Sequence, residues 1–191
     1  MKKVISLLVI CIVAILPMTA QVGYESQIKA SYNIGVGTYK NRAILAEYVG
    51  GYNFNNIIRL GVGVGLGSTD MQYTPAKEGY EDFSAYRESS LFLPVFANFK
   101  ATLPTDKRIR PYFATDLGYS IFLPGSDFAH CDKMGFFVKP AIGIQLPMPK
   151  GKILFELGYQ YQDRSCKHKS NGKTIEIGSY SQVSIGIGYI F

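Results

Sequence analysis

Nine charged side chains stand at alternate positions of otherwise apolar segments: Glu25, Lys29, Glu47, Arg59, Lys100, Arg110, Asp116, Lys139 and Glu156. In an extended chain, residues two apart share a face. Each of these charges therefore lies opposite the apolar side chains of its own segment. Five basic and four acidic groups gathered on one enclosed face must pair, because a buried charge without a partner is costly. Two chemistries fit such a set. One is a salt-bridged plug that holds a shape; the other is a narrow, gateable polar path.

Two further groupings carry reactive types. His130 and Cys131 stand together, as do Cys166 and His168. Outside the cytosol a Cys131–Cys166 disulfide is chemically permitted, with two free thiols as the alternative. The two cysteines and two histidines match no tight zinc spacing, so no metal is expected. Gly61, Gly63, Gly65 and Gly67 recur at every second position. Leu66 occupies the place where a dinucleotide-binding glycine pattern needs glycine. The run reads instead as small inward positions that leave room for long basic side chains from neighbouring strands.

The elements that position these residues alternate with a period of two, which is the signature of strands. Eight such segments occur. Their apolar faces are Tyr24 to Ile34, Ile44 to Tyr52, Ile58 to Leu66, Leu91 to Phe99, Phe113 to Ile121, Phe136 to Leu146, Ile153 to Tyr161, and Val183 to Phe191. No charge falls on any of them. Tyrosine and phenylalanine gather toward their ends, as interfacial girdles do. The segments are expected to run about 9–11 residues each, the tilted span of a bilayer. Short connections near Asn55, Thr105 and Pro149 alternate with long segments over 68–88, 122–133 and 163–178. Pro94 and Pro140 fall inside strands and predict a bulge or a local kink.

Residues 1–20 read as a secretory signal peptide: Lys2 and Lys3, then an apolar run from Val4 to Leu16, then Met18-Thr19-Ala20. That run is shorter than the ~20 residues of a spanning helix. Residues 21–191 then form one domain. With Lys2 and Lys3 removed, the net charge of +6 falls to +4. The chain has 14 tyrosines, 12 phenylalanines, 20 glycines and no tryptophan. That composition suits a wall with one side in lipid. The expectation is an all-β, eight-stranded, antiparallel up-and-down transmembrane β-barrel in the cell outer membrane.

The signal peptide, the eight alternating strands and the ending Gly188-Tyr189-Ile190-Phe191 resemble small outer-membrane β-barrel proteins of the OmpX, Ail and OmpA-barrel type. The resemblance covers Tyr24 to Phe191. It implies that Tyr189 and Phe191 form the signal read by the outer-membrane assembly machinery. It also implies contact with outer-membrane lipid and lipopolysaccharide. His168-Lys169-Ser170-Asn171 resembles the His-x-Ser-Asn pair of outer-membrane lipid A 3-O-deacylases. In that family an orienting glutamate follows about a dozen residues after the serine. Here that position is Gln182, and the nearest acid is Glu176. No catalytic residue is therefore assigned.

The expected function is non-catalytic: envelope integrity, or surface interaction through extracellular loops with an unidentified ligand. The basic stretch Arg164, Lys167, Lys169 and Lys173, and the aromatic and charged stretch from Tyr73 to Tyr86, are the loop candidates. A narrow channel and a lipid A-modifying enzyme are the alternatives. A monomer is expected, with no cofactor and no nucleic-acid partner.

Overall fold

A strand that is apolar on one face and polar on the other can hide its polar face by curling round it. The computed structural model describes residues 23–36, 40–54, 57–73, 86–105, 107–123, 134–163, 166–170 and 173–191, and among them eight strands curl into a closed antiparallel barrel. They begin with β1 (Tyr24–Val36), β2 (Lys40–Phe54), β3 (Ile58–Tyr73) and β4 (Tyr86–Thr102). β5 (Arg110–Leu123), β6 (Met134–Met148) and β7 (Gly151–Gln162) continue the wall. Next come β8 (Cys166–Ser170) and β9 (Lys173–Ile177), which pair only with each other. β10 (Tyr180–Ile190) closes the barrel between β7 and β1.

The stagger follows from the register. From Ser26 the Cα partners run through Gly50, Val62, Ala97, Leu117, Val138, Tyr161 and Ser181, and return to β1 at Val36, ten residues beyond the start. On eight strands such a stagger requires a strand tilt of roughly 35–45° and leaves an interior that side chains fill. The ends meet at the short-turn side. The Phe191 N–H donates to the Ser26 carbonyl at 2.9 Å, and the Ser26 N–H donates to the Phe191 carbonyl at 3.2 Å.

The outer wall is apolar and uncovered. Val62 is 70%, Ile44 66% and Ile142 62% exposed. A soluble protein rarely shows an apolar surface that encircles it; in a bilayer the same surface is solvated by lipid. The first charges on the outer face of β2 and β3 are Arg42 and Asp70, which stand opposite each other near the loop-side ends. Aromatic side chains border the band. Tyr52 and Phe54 meet edge to face at 4.9 Å, and Tyr189 stacks on Phe191 at 6.4 Å. On the loop side Tyr119 meets Phe136 at 5.7 Å.

Three sequence expectations change. The barrel strands run 11 to 17 residues rather than about nine to eleven. β3, with 16 residues, is about 53 Å long at about 3.3 Å per residue. Tilted by about 45°, it rises about 37 Å, against an apolar band of about 25 Å. The excess stands on the loop side, where Tyr73 pairs with Tyr86. The segment expected as the last long loop contains the β8–β9 hairpin, with Cys166 opposite Ile177 and Ser170 opposite Lys173. The prolines make no bulge. The pairs on either side of Pro94 keep one register with β3, Val64↔Val95 and Gly67↔Phe92, so no extra residue is inserted. Val138↔Tyr161 and Ala141↔Gly158 show the same across Pro140. Each proline interrupts the ladder to one neighbour and leaves the other intact. The expected signal peptide lies outside the described residues.

Candidate functional site in the barrel lumen

Inward side chains arrange in three tiers along the barrel axis. The middle tier holds ions. Lys29 on β1 and Glu47 on β2 are direct cross-strand partners, as are Asp116 on β5 and Lys139 on β6. These two pairs meet across the lumen. Lys29 Nζ donates to Asp116 Oδ2 at 3.0 Å and lies 3.5 Å from Glu47 Oε2 and 3.6 Å from Glu156 Oε1. Lys139 Nζ donates to both Glu47 oxygens, at 3.0 and 2.9 Å, and lies 3.4 Å from Asp116 Oδ2. Asn98 on β4 donates to the other Asp116 oxygen at 2.5 Å. Tyr112 on β5 donates its hydroxyl to Glu156 Oε2 at 3.2 Å. Lys139 and Asp116 are each 1% exposed. Two lysines against three carboxylates leave this tier at −1.

Apolar side chains bound the ions. Val49, Phe96 and Phe137 form one buried cluster; Ala43, Leu45, Phe92 and Phe122 form another nearer the loops. Phe96 and Phe137 meet edge to face at 5.9 Å, a favoured aromatic geometry. Excluding water here strengthens each ion pair.

The glycine run of β3 serves this packing, which corrects the expectation of space for basic side chains. Gly63 stands opposite Phe96 and Gly67 opposite Phe92. A Cβ on either glycine would lie 2.3 Å from the phenyl ring it faces. Gly65 instead borders the ring of Pro94 and the stem of Glu47.

Toward the loops the lumen turns polar but uncharged. Ser31, Asn33, Asn41, Thr69, Ser90, Ser120, Gln160, Gln162, Gln182 and Ser184 are all buried there. Ser120 donates to Gln162 Oε1 at 3.1 Å, and Gln162 donates to the Phe136 carbonyl at 3.2 Å. The Asn33 and Asn41 amides and the Ser31, Thr69 and Ser90 hydroxyls have no hydrogen-bond partner among the described residues.

Toward the short turns the lumen is cationic. Arg59 donates to Gln27 Oε1 at 2.6 Å, the Val49 carbonyl at 2.9 Å and the Glu25 carbonyl at 3.1 Å. Lys152 bonds Glu25 Oε1. Lys100 lies 5.5 Å from the centroid of the Tyr112 ring. Arg110 is half-buried at the start of β5, opposite Gln145.

The structure thus brings Lys29, Glu47, Asp116, Lys139 and Glu156 together, and sets Glu25, Arg59, Lys100 and Arg110 apart at the other end. Sequence reasoning missed Lys152, Asn98 and Tyr112 as partners. Lys152 shares the inward parity of Leu154 and Glu156, so extending the alternation of β7 by one step would have found it. Cys131 and His130 lie outside the described residues. The backbone of Cys166, His168 and Ser170 runs in β8, and the expected disulfide falls outside what is described. Tyr189 and Phe191 sit on the outer wall, where the Tyr189 hydroxyl donates to the Lys150 carbonyl at 2.9 Å. The outer wall also carries an apolar depression over Ala30 and Ala46, edged by Ile28, Val64, Leu66 and Ile187. Its surface is almost wholly apolar and faces lipid.

This arrangement of a lipid-facing wall around a filled polar lumen is that of a small outer-membrane barrel. No family model matches the sequence, and no curated protein matches it. Solved structures do. The outer-membrane protein OprG of Pseudomonas aeruginosa is 12% identical with a TM-score of 0.55, covering 90% of this chain and 97% of that one. Neisserial surface protein A is 15% identical with a TM-score of 0.52, covering 88% and 96%. AlkL, an outer-membrane protein solved in lipid bilayers, is 12% identical with a TM-score of 0.51, covering 90% of each. At such identities the likeness defines the fold alone: a closed eight-stranded β-barrel of the small outer-membrane type, whose apolar outer band suits a lipid bilayer.

Proposed function

We propose that this barrel acts without catalysis, in envelope integrity or in surface interaction through its loop end. The observation that carries the reading is the contrast between its two ends. The middle of the lumen is filled by ion pairs and phenyl rings, which suits a rigid stave rather than a wide pore. The loop side projects far beyond the apolar band through β3 and β4, and it bears the hairpin β8–β9. Lys167, Lys169 and Lys173 on that hairpin suit the phosphates of lipopolysaccharide or another anionic surface. The barrel works as a monomer, with lipid around it and the outer-membrane assembly machinery as its insertion partner. The test is a strain lacking the gene, complemented by chains in which residues 74–85 or 166–177 are replaced by short turns. Loss of barrier or binding phenotypes with one of these, while heat-modifiable barrel is retained, is the expected result. Full complementation by both defeats the reading.

A narrow channel is the second reading. The orphaned amides and hydroxyls of the loop-side lumen favour it, since buried polar groups without partners recruit water. Purified protein in a planar bilayer should then conduct, and Glu47→Ala or Arg59→Ala should alter the conductance. A silent bilayer rejects it. A lipid A-modifying enzyme is separated from both by mass spectrometry of lipid A from cells with and without the protein. Identical spectra end that idea.

A further inference from the structure

The short-turn end of the lumen carries more positive charge than its own side chains neutralise. The β3–β4 register sets Arg59 directly opposite Lys100. Like charges in that position repel. Arg59 is 1% exposed, and the three acceptors its terminal nitrogens reach are one amide and two backbone carbonyls. They take three of its five N–H groups without cancelling its charge. Lys100 is 4% exposed, and its ammonium has no hydrogen-bond partner among the described residues. Beside it lies the face of Tyr112. The Nε atoms of Arg59 and Arg110 are also buried without a partner.

Among the described residues one carboxylate serves this tier, and it is engaged. Glu25 gives Oε1 to Lys152, while its Oε2 has no hydrogen-bond partner among the described residues. Among the described residues Arg59, Lys100, Arg110 and Lys152 against Glu25 leave +3. Pooling the tier with the ions above it, at −1, still leaves +2. A buried ammonium with neither counterion nor acceptor is among the most costly arrangements a protein can hold.

We propose that the lumen beside Lys100 and Arg59 binds a small inorganic anion of chloride size. A monatomic ion suits so enclosed a place better than a polyatomic one. Access comes from the short-turn mouth, where the Lys152 and Glu25 side chains are 24% and 16% exposed. The ion offsets the repulsion between Arg59 and Lys100 and so ties β3 to β4 where that pair would otherwise repel. The competing arrangement is a direct or water-bridged pairing of Lys100 with the free oxygen of Glu25.

Bromide replaces chloride and scatters anomalously, so crystals of the full barrel grown in bromide decide the point. The expected result is an anomalous peak within hydrogen-bond reach of Lys100 Nζ, absent in Lys100→Met. No peak there in the native chain overturns the proposal. In lipid vesicles, replacing gluconate by chloride at constant ionic strength should raise the unfolding midpoint by a few degrees. Lys100→Met should abolish that rise, and Glu25→Gln, which removes the competing carboxylate, should enlarge it. Bromide seen in crystals with no chloride dependence in vesicles overturns the proposal. So does a chloride dependence that appears only in Glu25→Gln, which would assign Glu25 as the counterion of Lys100.

Discussion

At the residue scale, the ion pairs and the phenyl rings of the lumen depend on each other. Lys139 offers Glu47 two short contacts, and Lys29 adds a longer one. Lys139→Ala leaves Glu47 short of charge in a place closed to water. Breaking a buried pair in this way costs roughly 3–5 kcal/mol, whereas removing both partners costs far less. Lys139→Ala should therefore lower the urea midpoint in vesicles sharply, and Glu47→Gln with Lys139→Met should recover much of it. A double variant no more stable than Lys139→Ala would mean that the unpaired Glu47 charge is not what lowers the midpoint. Gly63 makes the second case. Its missing Cβ is the space that the Phe96 ring fills. Gly63→Val should fold poorly, with refolding yield as the measure, and adding Phe96→Leu should restore part of that yield. The alternation along β3 and β4 showed that Gly63 and Phe96 both point inward. That they meet depends on register, which depends on the turn between the strands, and alternation within a strand carries no register.

At the element scale, the strands were legible because their apolar faces are unbroken, and their ends were not. Apolar alternation stops where lipid stops, but hydrogen bonding between β3 and β4 continues to Tyr73 and Tyr86. The polar stretch Cys166–Ser170 gave no apolar signal, yet it pairs with Lys173–Ile177, because a ladder needs only backbone. The prolines show the converse. A missing donor predicted a bulge or a local kink, and the register kept across the gap excludes the bulge. Between β3 and β4 the paired residues stop at Gly67↔Phe92 and resume at Val64↔Val95. Pro94→Ala returns an N–H to that gap. The new amide at position 94 should donate to the Gly65 carbonyl and exchange slowly, and the Gly65 amide beside it should slow, with a gain in stability of about 1 kcal/mol at most. Fast exchange at position 94 with Gly65 unchanged would place the cause of the gap outside the proline.

At the scale of the whole molecule, one seam decides whether the chain is a barrel or an open sheet. β10 joins β1 over Gln27↔Ile190 to Val36↔Ser181, and the last residue adds two backbone bonds to Ser26. Sequence shows that the final strand is apolar on one face, but not how it finds the first, since that contact spans nearly the whole chain. Phe191 has two separable parts here. Its backbone fastens the seam, and its ring, stacked on Tyr189 at 6.4 Å, faces outward at the lipid boundary. Phe191→Ala keeps the backbone bonds and removes the ring; deleting the residue removes both. If the ring is the assembly signal, Phe191→Ala should refold into vesicles with a midpoint near the native one, while its yield in the outer membrane of cells falls several-fold. Deletion should lower both quantities, because Ser26 then loses both of its partners at the seam. Native yield in cells for Phe191→Ala would strip the ring of that role and leave it as an anchor in the lipid interface.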